Sequence, residues 1–200
     1  MLLYIIYFMT SNIYIKMDED IIYIKVYKMS NYKTRSISKK EYKWFMIDAV
    51  DYDRVKLFKW FYTTSGYAMT VSYGKEFMLH RVVLQVIGNC VVDHINGNKQ
   101  DNRKSNLRVA TSQQNSWNVK IKNNKYRCVS KSGKNYSVTL THNKKRYSFK
   151  GFTSDDQAAF FYNCIIRILR GKFAVLNDTK YFDVETMQRA QSEAEKILTL

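Results

Sequence analysis

The stretch VVDHINGNKQDNRKSNLRVATSQQNSWN, from Val91 to Asn118, limits the fold more than any other part of the chain. It is rich in Asn and Gln, and its only acids are Asp93 and Asp101. Such amides build a poor core. They build good turns and caps, and good oxygen ligands for a hard metal ion. The short apolar runs VVDHI and NLRVA read as strands, with Leu107 and Val109 on one face of the second. Asn96-Gly97 is a turn signal, since both residues tolerate positive φ. Thr111-x-x-Gln114 has the capping-box pattern, so a helix begins there. The order is strand, loop, strand, helix.

On those elements, Asp93 and His94 lie on the first strand and Asn106 starts the second. Asn115 falls in the first turn or so of the helix, with Asn118 three residues on along the same face. A strand carboxylate facing a helix amide offers two oxygen ligands, which suit Mg²⁺ or Mn²⁺ better than Zn²⁺. His94 points to the opposite strand face from Asp93, within reach of a water beside a bound phosphate. Arg103, Lys104 and Arg108 flank the place where a phosphodiester would sit.

The charge balance points the same way. The 200 residues carry a formal charge of +16 and a sequence pI near 9.7, which suggests a polyanionic partner. No acid occurs between Asp101 and Asp155, and ten Lys or Arg fall between Lys120 and Lys150. Three cysteines without a C-x-x-C pair, Cys90, Cys128 and Cys164, argue against a disulfide framework or a four-Cys zinc site. They fit a reducing, intracellular location. The apolar run Met1–Met9 is too short to span a bilayer and lacks a signal-peptide pattern; an edge strand or a translation artefact are both open for it.

Residues 18–44 read as a strand followed by a loose polar connector. WFMIDA reads as a strand and DYDRVKLFK as a short helix opened by Asp51. WFY and YAMTV read as a hairpin, and EFMLHRVVLQVIG as part strand, part helix, ended by Gly88. YRCVSK, NYSVTLT and KRYSFKGF read as three strands, with turns at 132–134 and 142–144. TSDDQAAFFYNCIIRILRG reads as an amphipathic helix capped by Ser154 and stopped by Gly171, with Ala158, Phe161, Tyr162, Ile165 and Leu169 on its buried face. Residues 183–200 read as a separate polar helix. His80 reads as a packing residue or a phosphate contact, Trp117 as core, His142 as a loop residue and Cys90 as a small buried hydrophobe.

D-H-x-N-G at 93–97, D-N-R at 101–103, N-L-R at 106–108 and Q-N-x-x-N at 114–118 resemble the HNH nuclease motif, and more narrowly the HNH homing endonucleases of phages, introns and large viruses. Residues 45–88, with DYD, KWFY, GYA and LHR, resemble the segment that precedes it there. The resemblance implies a ββα-metal finger in which Asp93 and Asn115 bind the metal and His94 is the general base. Asn106 would hold the loop and the histidine in position. The last motif position is Asn where many relatives have His, which suits the Mg²⁺-using branch. Residues 124–178 are similar to the Apetala-two/ethylene-response-factor type of DNA-binding domain, three antiparallel strands on one helix, carried by Y-R-C-V, G-K-N-Y, K-R-Y-S-F-K-G-F, Q-A-A-F-F-Y-N and G-K-F-A-V-L-N. Cys128 stands where that family has Gly, Tyr136 where it has Trp, and FKGF where it has a Leu-Gly pair.

The expected class is α+β: an HNH finger in an N-terminal module, then a three-stranded antiparallel sheet packed on one helix. The expected layout is 1–40 as an extension that need not be structured, 41–120 as the nuclease module, 121–180 as the DNA-binding domain and 181–200 as the C-terminal helix. The expected activity is metal-dependent hydrolysis of DNA phosphodiesters by a monomer with Mg²⁺ or Mn²⁺, nicking one strand of double-stranded DNA. No membrane or small-molecule substrate is expected. The setting is that of a mobile element, in host cytoplasm or nucleus if viral. Arg103, Arg108, Arg127, Lys131, Lys134, Tyr136, Lys144, Lys145 and Arg146 are the candidate DNA contacts. The rival class is a non-catalytic DNA-binding or transcription-type protein on a relic HNH fold; an RNA-binding basic protein is the third.

Overall fold

In the computed structural model, residues 15–18, 20–31, 36–118 and 124–199 are described. The apolar run at 1–9 lies outside them. The chain forms two compact units, Met1–Asn115 and Ser116–Leu200, with mixed α and β structure in each.

The first unit is built on a six-stranded sheet. β1 (Ile15–Asp18) pairs with β2 (Ile21–Asn31), and β3 (Ser36–Asp48) pairs with β2 along most of its length, both antiparallel. Where the stretch expected as a loose connector is described, at 30–31 and 36–44, it is strand, and the expected extension, 1–40, supplies β1, β2 and the start of β3. Alternation marks the strands on either side, with Ile22, Ile24, Val26, Phe45 and Ile47 buried, whereas the polar segment between them owes its strand to pairing across the hairpin, as in Lys28 with Ser38 and Met29 with Ile37. β4 (Phe61–Tyr62) runs parallel to β2, and β5 (Ala68–Ser72) and β6 (Lys75–Met78) follow antiparallel, as the hairpin reading anticipated.

Two short helices, α1 (Tyr52–Val55) and α2 (Leu79–Leu84), place Val55, Leu79 and Val83 in the same core. Asp51 makes no side-chain cap for α1. It is 1% exposed, and its Oδ1 accepts from Arg54 Nη1 at 2.9 Å and Lys104 Nζ at 2.8 Å. A buried carboxylate needs such partners more than a helix end needs a cap. α2 ends at Gln85, which takes the left-handed conformation at φ 55°, and not at Gly88. Cys90 is half-buried.

The second unit has an antiparallel sheet in the order β11-β10-β9: β9 (Val129–Ser132), β10 (Asn135–His142) and β11 (Lys145–Phe152). Asn143 and Lys144, both at positive φ, make the tight turn between β10 and β11. α4 (Asp155–Arg170) packs on the sheet and buries Ala158, Phe161, Tyr162, Ile165 and Leu169. Ser154 caps it by accepting from the Gln157 N–H, and Gly171 is its C-cap. α5 (Val184–Leu198) is not a separate element: Ala190, Ala194 and Ile197 join the core of α4. Two alanines leave a narrow apolar stripe that is easily read as polar. His142 ends β10 and is buried, and Trp117 is only partly buried, with the Arg170 guanidinium 4.5 Å over its ring.

Candidate active site

β7 (Val91–His94) and β8 (Leu107–Ala110) form an antiparallel hairpin that pairs Asp93 with Arg108 and His94 with Leu107. Val92 and Leu107 anchor it in the core of the first unit, while Val109 is 49% exposed, so the apolar face expected of β8 is only half covered. α3 (Ser112–Trp117) follows. Its capping box is reciprocal: Thr111 Oγ1 accepts from the Gln114 N–H at 3.1 Å, and Gln114 Oε1 accepts from the Thr111 N–H at 2.9 Å.

The loop joining the strands explains most of the amides. Asn106 Oδ1 accepts from the Asn96 N–H at 2.9 Å, and Asn106 Nδ2 donates to the Asp101 carbonyl at 2.7 Å. Asn96 Oδ1 accepts from the Asn98 N–H, and Asn98 Oδ1 from the Gln100 N–H. Gly97 turns the chain at φ 68°. Side chains here replace the backbone partners that a loop lacks. The loop is also fixed from outside. Met46 N–H donates to the Gln100 carbonyl at 2.7 Å, Asn102 N–H donates to the Met46 carbonyl at 2.8 Å, and Lys104 N–H donates to Asp48 Oδ2.

His94 is 5% exposed. Its ring lies 5.2 Å from the His80 ring and 5.9 Å from that of Tyr67, centroid to centroid. Burial lowers the pKa of both histidines, that of His80 to about 3. His94 Nε2 is 3.3 Å from Asn102 Oδ1. The Asn102 amide is oriented by its Nδ2, which donates to the Lys99 carbonyl at 3.2 Å. Oδ1 can only accept, so Nε2 carries the proton and the neutral ring keeps its lone pair on Nδ1. Asn106 positions the loop but makes no such bond to His94; Asn102 does that. Asn102 stands in the D-N-R motif, yet nothing in sequence spacing joins it to His94.

Asp93, on the neighbouring position, is 4% exposed. Arg108 grips its Oδ2 through Nε at 2.9 Å and Nη2 at 2.7 Å. Arg103 is committed in the same way: Nε and Nη2 donate to the two oxygens of Asp101 at 2.8 and 2.7 Å, which lowers the Asp101 pKa. The two arginines expected at the phosphate thus hold carboxylates of the site. Asn115 is exposed on α3. Among the described residues, no three His, Cys, Asp or Glu side chains cluster as a metal site. The donors present are the Asp93 carboxylate and amide oxygens, which fit a hard divalent cation that keeps much of its water. Oδ2 of Asp93 already has the Arg108 guanidinium as its counter-charge.

The other candidate contacts lie in the second unit, and β-sheet alternation sorts them. Val138, Leu140 and Phe149 face α4, as do the positions of Lys131, Tyr136 and Lys145. Arg146 lies on the opposite face with Ser130, Thr139, Thr141, Ser148 and Lys150, a basic residue the sequence reading passed over. Lys134 and Lys144 are exposed at the two turns, and Arg127 is half-buried before β9.

Residues 78–117 match the family described as HNH endonuclease. A protein of Acanthamoeba polyphaga mimivirus, itself named an uncharacterized HNH endonuclease, is 36% identical over 129 residues, covering 62% of this chain and 68% of that protein. No solved structure matches. Among the described residues, no helix is long and apolar enough to cross a membrane.

Proposed function

Because the chain belongs to the HNH endonuclease family, we propose that it hydrolyses DNA phosphodiester bonds at the β7–β8 hairpin with a bound divalent metal. The observation that carries this reading is His94, buried beside Asp93 with its tautomer set by Asn102. Nδ1 of His94 takes a proton from water as the water oxygen bonds to phosphorus. The bond from phosphorus to the 3′ oxygen breaks, and that oxygen is protonated from solvent. The products carry a 5′ phosphate and a 3′ hydroxyl. Asp93 and Asn115 would hold Mg²⁺ or Mn²⁺, which when bound would offset charge on the phosphate and the leaving oxygen. Asn106 keeps the loop closed.

One such site per chain cuts one strand at a time. A monomer therefore converts supercoiled plasmid to open circles first, with linear DNA late. Linear product from the start, with the protein sedimenting as a dimer, would replace the nickase with a paired-site enzyme. The rival reading, a DNA-binding protein on a relic fold, predicts no cleavage at all in the same assay.

The second unit supplies much of the DNA affinity in this account, in the manner of an Apetala-two-like domain. Two features support the likeness: three antiparallel strands on one helix, and Cys128 at φ 60°, a conformation that favours the Gly of that family. A homing role in a viral or other mobile element fits the company of the two units. Neutralising Lys144 and Arg146 together with Lys150 should weaken binding across a salt series and flatten its slope by about one unit per lost phosphate contact. Neutralising Lys131 and Lys145, on the helix side, should change it less. Equal slopes for both variants would mean that the open face does not meet DNA.

A further inference from the structure

The β2–β3 hairpin has a second face that the catalytic reading does not use. Opposite its buried side, Tyr27 pairs with Tyr42 and Lys25 with Trp44. Tyr42 is 46% exposed and Trp44 37%. The rings of Tyr27 and Tyr42, and those of Tyr42 and Trp44, lie 6.2 Å apart, and Lys25 Nζ sits 3.9 Å from the Tyr42 ring centroid. Soluble sheets rarely leave such rings in water without a partner.

Two observations identify the partner. The first is charge: Lys25 Nζ lies against the rings of this face, and the sequence from 21 to 47 has seven Lys or Arg but a single acid, Glu41, which is itself paired with Lys28. The second is continuity. Met46, on the same side of β3 as Tyr42 and Trp44, exchanges backbone hydrogen bonds with Gln100 and Asn102 of the loop that positions His94. From Met46 to Tyr42 the strand covers roughly 13 Å at about 3.3 Å per residue. That is about four nucleotide steps of roughly 3.4 Å. Aromatic rings with a lysine set between them suit bases that are free to stack and a phosphate that needs neutralising.

We propose that this face is a nucleic-acid platform, on which a strand of the substrate DNA with exposed bases stacks against Tyr42 and Trp44 beyond the scissile phosphate. The proposal rests on reading the β7–β8 hairpin as a DNA-cleaving site, but its test does not depend on cleavage. In the full-length His94→Ala chain, Tyr42→Ala with Trp44→Ala should weaken binding of a single-stranded oligonucleotide by about 10–100-fold. Affinity for a blunt duplex should fall much less. Trp44→Phe should keep the affinity but remove the fluorescence quenching that the oligonucleotide causes in the parent. That arm needs no loss of a ring and guards against a misfolded double variant. Unchanged single-strand affinity with no Trp44 quenching would overturn the proposal. So would equal losses for single strand and duplex, or a change from dimer to monomer with DNA affinity intact, which would make the face a protein interface. A chain that binds single strands in this way yet never cuts would sink the nuclease reading alone.

Discussion

His94→Ala should lose roughly 10²–10⁴-fold in the single-turnover rate of DNA cleavage, while the Kd for DNA stays close to that of the parent. The imidazole is the titratable group beside Asp93 whose lone pair the hydrogen-bond pattern places on one defined nitrogen. Its loss removes the proton acceptor but no phosphate contact. Because His94 is buried against His80 and Tyr67, the alanine leaves a cavity. His94→Gln, closer in size, should be as inactive with less loss of stability. A His94→Ala protein that cleaves at the parental rate would remove His94 from the chemistry.

Asn102→Ala should lower the same rate by about 10–100-fold, again at constant Kd, because a partner that orients a working histidine is worth about that much. The fall comes from the ring and not from DNA binding. Nitrogen NMR of His94 should therefore show one tautomer, protonated at Nε2, in the parent and a mixture in Asn102→Ala. Asn102→Asp keeps an acceptor for Nε2 and should recover part of the rate. Full activity and an unchanged tautomer in Asn102→Ala would show that His80 and Tyr67 hold the ring unaided.

The hairpin was readable because its signals are local. Asn96-Gly97 and the Thr111–Gln114 box each fix backbone within a few residues, and the structure bears both out. The partners of His94 were not readable, since Asn102 reaches it only after the loop closes, and His80 and Tyr67 come from other elements. The same cause hid the N-terminal strands. KMSN and SISKKEYKW lie on β2 and β3, where they are held as strands by pairing across that hairpin and not by an apolar pattern of their own. Asp51 shows a further limit: spacing suggested a helix cap, but burial gave its carboxylate Arg54 and Lys104 as partners instead. Helix α4 was legible to its caps because a wide apolar face, a serine and a glycine agree.

The central claim is that this chain cuts DNA through His94 with a divalent metal. The direct measurement is the fate of supercoiled plasmid with wild-type protein and with His94→Ala, each in Mg²⁺ and in excess chelator. Wild type in Mg²⁺ should yield open circles, and plasmid should stay intact in the other three reactions. Cleavage by the wild type that survives chelation, or cleavage by His94→Ala at the wild-type rate, would contradict that claim.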